Sequence, residues 1–123
     1  MCRPDLGIRE VAKRLVSLSI LCMLIQDAGA DMSEAEVLGT TSGRVLGAAQ
    51  LCGIPPERLQ RTARLTFTAI DQIARSEQDR TSADERMRDG LGLGHEDIKS
   101  KRTSCEAIRS ALGKLEKRLG KRQ

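Results

Sequence analysis

The chain has 123 residues, of which 39% are hydrophobic, a net charge of +4, four cysteines, one histidine and one aromatic side chain, Phe67. That length allows one small domain and excludes two, and the single histidine excludes any zinc site that needs a histidine pair. With aromatics almost absent, the core must be packed from Leu, Ile, Val, Met and Ala.

Residues 1–30 read as a secretory signal peptide. Arg3, Arg9, Lys13 and Arg14 give a basic start, Leu15 to Ile25 is an apolar run broken only by Ser17 and Ser19, and Ala28-Gly29-Ala30 supplies the small-x-small end. The competing reading is the buried side of an ordinary amphipathic helix, because Ile8, Val11, Leu15 and Leu18 also fall at helical spacing. The run is too short for a membrane span, which needs about 20 residues. Cleavage after Ala30 leaves a mature domain of residues 31–123 with no transmembrane anchor, periplasmic or secreted. That compartment changes how the cysteines are read. Cys2 and Cys22 leave with the signal, and Cys52 and Cys105 remain as one candidate disulfide.

The mature domain is expected to be all-α, a small bundle of three to four helices. The first begins at Ser33, which with Glu36 forms a capping box, loosens around Gly39 to Gly43, continues through Cys52 and stops at Gly53. Pro55-Pro56 opens a second helix, since proline at a helix start forfeits no hydrogen bond. Its seam of Leu59, Ala63, Thr66, Ile70 and Ile73 carries it to about Arg75, with Phe67 beside the seam. Residues 76–82 are polar and read as a connection. Thr81 or Ser82 then caps a short helix carrying Met87 and Leu91, which Gly90, Gly92 and Gly94 break into a flexible link. The last helix, residues 103–120, has a capping box in Thr103 and Glu106 and a stripe of Cys105, Ile108, Leu112, Leu115 and Leu119.

Charge is unevenly spread along the chain. From Lys99 onward nine basic residues face only Glu106 and Glu116, a segment near +7, and Lys114, Lys117, Arg118, Lys121 and Arg122 form a basic patch. Such a patch suits an anionic surface as partner, or serves as a solvated helix face.

Chemistry-bearing patterns are weak. Gly90-Leu91-Gly92-Leu93-Gly94 lacks the preceding strand and following Lys-Ser/Thr of a phosphate loop. His95-Glu96-Asp97 diverge as consecutive side chains, and no cofactor or metal is expected. Paired acids such as Glu34/Glu36 and Asp84/Glu85 sit where helix starts favour negative charge. The expectation is therefore a binding protein and not an enzyme.

Residues 45–64 offer the alternative of a helix-turn-helix DNA-binding regulator in the cytosol. Ala49 is the small residue at the crossing, Leu59 faces inward, and Gln60, Arg61 and Arg64 point outward. Thr62 stands where such motifs hold an aliphatic, and the long second helix and the signal both oppose this assignment. In layout the chain resembles the small periplasmic acid-stress chaperones: a signal, about ninety mature residues, all helix, one disulfide and a basic C-terminal helix. The resemblance implies binding of protein clients through apolar surface exposed when helices separate. Here the surface is Leu59, Phe67, Ile70 and Ile73, which also fits a core or a self-association seam.

Intact mass of the protein from its native host is expected to equal residues 31–123 less two hydrogens. A mass that retains Met1, or that shows two free thiols, contradicts the export reading.

Overall fold

The structure, a computed structural model, describes residues 32–121; the proposed signal, with Cys2 and Cys22, and Arg122 of the basic patch lie outside the described residues. Four helices follow one another: α1 (Glu34–Gln50), α2 (Pro56–Ile73), α3 (Glu77–Lys99) and α4 (Cys105–Lys121). Local chemistry starts each of them. Ser33 Oγ accepts from the Glu36 amide at 3.1 Å while Glu36 Oε1 accepts from the Ser33 amide at 3.2 Å, closing the expected capping box. Pro55 stands at the cap of α2 and Pro56 at its first position. Between them and α1 the chain turns at Gly53, whose φ of +72° is a left-handed conformation that favours glycine.

The starts of α3 and α4 differ from expectation. Ser76, and neither Thr81 nor Ser82, caps α3 by accepting from the Asp79 amide at 3.1 Å, so residues 77–82 are helix and not connection. Ser104 replaces Thr103 as the cap of α4, accepting from the Ala107 amide at 3.1 Å. α1 does not loosen between Gly39 and Gly43, and Gly90, Gly92 and Gly94 do not break α3, which runs 23 residues to Lys99. The expected flexible link is therefore the middle of the longest helix among the described residues.

The reason lies in how α1 and α3 meet. A Cβ built on Gly39 would lie 2.3 Å from the Ala83 carbonyl oxygen, on Gly43 2.2 Å from that of Met87, and on Gly47 2.1 Å from that of Leu91. From the other side, a Cβ on Gly94 would lie 2.2 Å from the Arg44 oxygen, and one on Gly90 2.9 Å from the Thr40 oxygen. The contacts advance together along both helices, so α1 and α3 run parallel with their backbones touching. Each interior glycine costs a helix about 0.5–1 kcal/mol relative to alanine. Dispersion along two touching backbones and Cα–H···O contacts worth about 0.5–1 kcal/mol each offset that cost. Gly92 has open space around it and takes no part.

Side-chain and cap contacts hold the register of this pair at both ends. Near the helix starts, Asp79 accepts from Ser33 Oγ at 2.5 Å and from the Arg75 amide at 2.9 Å, joining the cap of α1 to the first turn of α3. Toward the other end, Arg44 of α1 makes a bidentate pair with Asp97 at 2.8–3.0 Å, and His95 Nε2 lies 2.6 Å from Gln50 Oε1.

α2 and α4 pack against α1 through larger side chains and run antiparallel to it. Leu46, Ala49, Cys52 and Ile54 pack with Met87, Ile108 and Leu112 near the α1–α2 turn, and Ala35 and Leu38 pack with Ala69, Ile70, Ala83, Leu115 and Leu119 at the far end. α1 is thus the axial helix, buried toward all three others. The Cys52–Cys105 disulfide pins the start of α4 to the end of α1 across a Cα–Cα distance of 5.4 Å and a sequence separation of 53. A closed loop of that length contributes roughly 4 kcal/mol in the chain-entropy account. Arg109 Nη2 also donates to the Cys52 carbonyl at 3.1 Å, satisfying an acceptor that the end of α1 leaves open.

Glycine substitutions should separate the two roles. Gly43→Ala or Gly47→Ala is expected to destabilise the protein by about 2 kcal/mol or more, because a methyl must push two backbones apart. Gly92→Ala, in open space, is expected to stabilise it by about 0.5–1 kcal/mol through helix propensity alone. Urea denaturation followed by circular dichroism measures both, and equal effects at the two kinds of site would contradict the backbone contact.

Candidate functional site

Close approach of α3 to α1 leaves α3 apart from α2. Few residues of α2 and α3 approach one another, and the gap between them is an open groove of about 200 Å³. Leu46 and Gln50 of α1 form its floor, Leu59, Gln60, Ala63 and Phe67 one wall, and Met87, Arg88 and Leu91 the other. Arg80 of α3 also reaches Asp71 of α2 in a 3.8 Å ion pair. Phe67, 38% exposed, is the large apolar side chain at the mouth, and the polar atoms of the lining belong to Gln50, Gln60 and Arg88. Arg88 makes no hydrogen bond or ion pair with any described residue. An apolar trough with a few polar groups at its rim is the usual form of a binding site.

The four residues of the expected partner seam divide between surface and interior. Leu59 and Phe67 line the groove, whereas Ile70 is 0% exposed inside the far cluster. Ile73 is half-buried and borders a separate shallow depression with Val37 and Arg118. The division follows from α2 having α1 on one side and an unfilled gap on the other. Leu46, Gln50 and Leu91 complete the groove without belonging to the α2 stripe. Sequence periodicity marks the buried stripe of each helix separately, so a trough shared by three helices leaves no mark in it.

Val45 to Arg64 spans the end of α1, the turn and the start of α2 as an antiparallel hairpin. A helix-turn-helix instead needs its two helices to cross at about 90–120°. Ala49 is fully buried, Gln60 lies in the groove wall, and Arg61 and Arg64 are exposed. Thr62, 1% exposed, ties α2 to itself and to α4, with its hydroxyl 2.9 Å from the Arg58 carbonyl and 3.3 Å from Glu116 Oε2. Lys114, Lys117, Arg118 and Lys121 are all exposed on α4. Among the described residues no group of three His, Cys, Asp or Glu side chains could hold a metal ion, and no helix is long and apolar enough to cross a membrane.

The chain matches no family model, no curated protein and no solved structure. Its function must therefore be sought in the geometry of the groove and the charge of the surface.

Two carboxylates of the frame are held below their ordinary range. Glu116 is lowered chiefly by hydrogen bonds from Arg58, at 2.9 and 2.6 Å, against the opposing effect of partial burial. Asp79 is lowered first by the Ser33 hydroxyl and then by the Arg75 amide. Depressed carboxylate values stabilise the fold fully above the unfolded values, roughly 3.9 for Asp and 4.3 for Glu, and lose that contribution as pH falls through the lower folded values. Stability is therefore expected to decline below about pH 4. Glu116→Gln should flatten part of this acid limb while costing no more than about 1 kcal/mol at neutral pH, because both partners are partly solvated. Thermal melts from about pH 2 to 7 measure the slope. An unchanged acid limb in Glu116→Gln contradicts the assignment.

Proposed function

We propose that this protein is an exported, non-enzymatic binding module that takes an apolar helical segment of a protein partner into the groove between α2 and α3. The groove itself carries the reading: an open apolar trough with Phe67 at its mouth, on a frame tied by a disulfide. A cross-link between the ends of two helices suits a domain working in an oxidising compartment, in agreement with the signal read in residues 1–30.

Length and shape favour a helix as occupant. The wall from Leu59 to Phe67 covers a little over two helical turns, about 12 Å, which matches a segment presenting apolar side chains at i, i+4 and i+7. Two walls over a floor supplied by α1 make the helix-in-groove arrangement, in which the guest adds one more helix to the bundle. Gln50, Gln60 and Arg88 then contact the polar edge of the guest and set its direction. A chaperone-like role follows if many segments of this pattern are accepted, and a dedicated assembly role if one is.

The test uses a fluorescent helical peptide with leucines at i, i+4 and i+7 and glutamine or serine elsewhere, so that charge plays no part. Saturable binding on the order of micromolar is expected. Phe67→Glu should weaken it about tenfold or more, whereas Val37→Glu, an exposed apolar position away from the groove, should leave it unchanged. Absence of saturable binding, or equal losses in both variants, overturns the proposal.

A further inference from the structure

The fold converts uneven charge along the chain into a charge difference across the molecule. α3 carries seven acidic residues against four basic ones, whereas α4 carries five basic against two acidic. These two helices scarcely touch, because α1 lies between them. α4 runs beside α2, to which it is joined by the Arg58–Glu116 pair and by Thr62. The acidic helix and the basic helix thus occupy opposite sides of α1.

On the basic side, Lys114, Lys117, Arg118 and Lys121 are exposed along the outer surface of α4 and enter no ion pair with any described residue. Arg61 of α2 is exposed and lies near Glu116, extending the cationic surface across the α2–α4 junction. Of the acids bordering this surface, Glu116 is taken up by Arg58, while Glu34 lies beside Arg118 and Glu57 beside Arg61, so the cations still outnumber the acids there. Charges left without partners on one side of a small protein form a field that attracts a large anionic body and orients the protein on it.

We propose that the α2–α4 face, centred on Lys114, Lys117, Arg118, Lys121 and Arg61, docks the protein on an anionic phospholipid bilayer, with α3 turned away from the membrane. A bilayer suits this face better than a nucleic acid does. Sequence-tolerant binding of single strands uses aromatic platforms, and the one aromatic residue, Phe67, lines the groove instead. The cations of α4 are mostly lysines, point charges that suit a fluid layer of headgroups more than planar, bidentate recognition of fixed phosphates. Clusters of this size near a membrane are a recognised electrostatic anchor. This docking rests on charge placement alone, independently of what the groove binds.

Co-sedimentation of the disulfide-bonded protein with vesicles tests this. Binding to phosphatidylcholine vesicles containing about 30% phosphatidylglycerol is expected at about 50 mM salt, with little binding to phosphatidylcholine alone and a steep loss by about 500 mM. Lys117→Gln with Lys121→Gln should weaken binding about 25-fold, near fivefold for each cation removed. Arg86→Gln with Lys99→Gln on α3, the same change in net charge, should weaken it less than about threefold. No binding to the anionic vesicles at low salt overturns the proposal, as do equal losses in the two double variants. Tighter binding of double-stranded DNA than of vesicles at the same salt also overturns it, in favour of a general polyanion site.

Discussion

The line along which α1 and α3 touch backbone to backbone is the constraint on which the rest of this structure depends. Three glycines of α1, Gly39, Gly43 and Gly47, sit so close to carbonyl oxygens of α3 that no side chain fits between them. Gly90 and Gly94 return the same condition from α3. Helices separated by side chains pack about 8–10 Å apart, and a glycine stripe lets them approach more closely. The apolar content that a domain of this size lacks is partly replaced by dense backbone contact, and the axial position of α1 follows from it.

Drawing α3 onto α1 also shapes the candidate site. α2 stands off α1 on Leu46, Leu59 and Ala63, ordinary apolar side chains, while α3 stands off on almost none. The mismatch in spacing opens the trough between α2 and α3. Its lining combines a floor from one helix with walls from two others, so its shape depends on the glycine contact although none of its lining residues is a glycine.

α4 is held differently, by Cys52–Cys105 at its head, the Arg58–Glu116 pair lower down, and Ile108, Leu112, Leu115 and Leu119 along its buried stripe. These contacts place the basic helix on the side of α1 away from acidic α3. Separation of charge is tolerable in so small a domain because the opposing groups are solvated and screened over about 10 Å at ordinary salt.

Features governed by local chemistry were legible in the sequence alone. Ser33 with Glu36, Gly53, Pro55-Pro56 and the stripe of α4 depend on neighbours within one helical turn, so their pattern carries their meaning. Local rules fail at Gly90 to Gly94, because glycine's preference for breaking a helix is about 1 kcal/mol and a partner backbone outweighs it. The four-residue spacing of Gly39, Gly43 and Gly47, echoed by Gly90 and Gly94, was the available signal. Its meaning required knowing which helix lay opposite. Similarly, the periodicity of α2 marked Leu59, Phe67, Ile70 and Ile73 as one apolar set, but only packing could send Ile70 into the core and leave Phe67 at a groove. Sequence by itself determined an all-helical chain, the starts of α1 and α2 and the pair of cysteines that bond. Tertiary structure decided which faces meet, because a helix surface acquires an inside and an outside only from what packs against it.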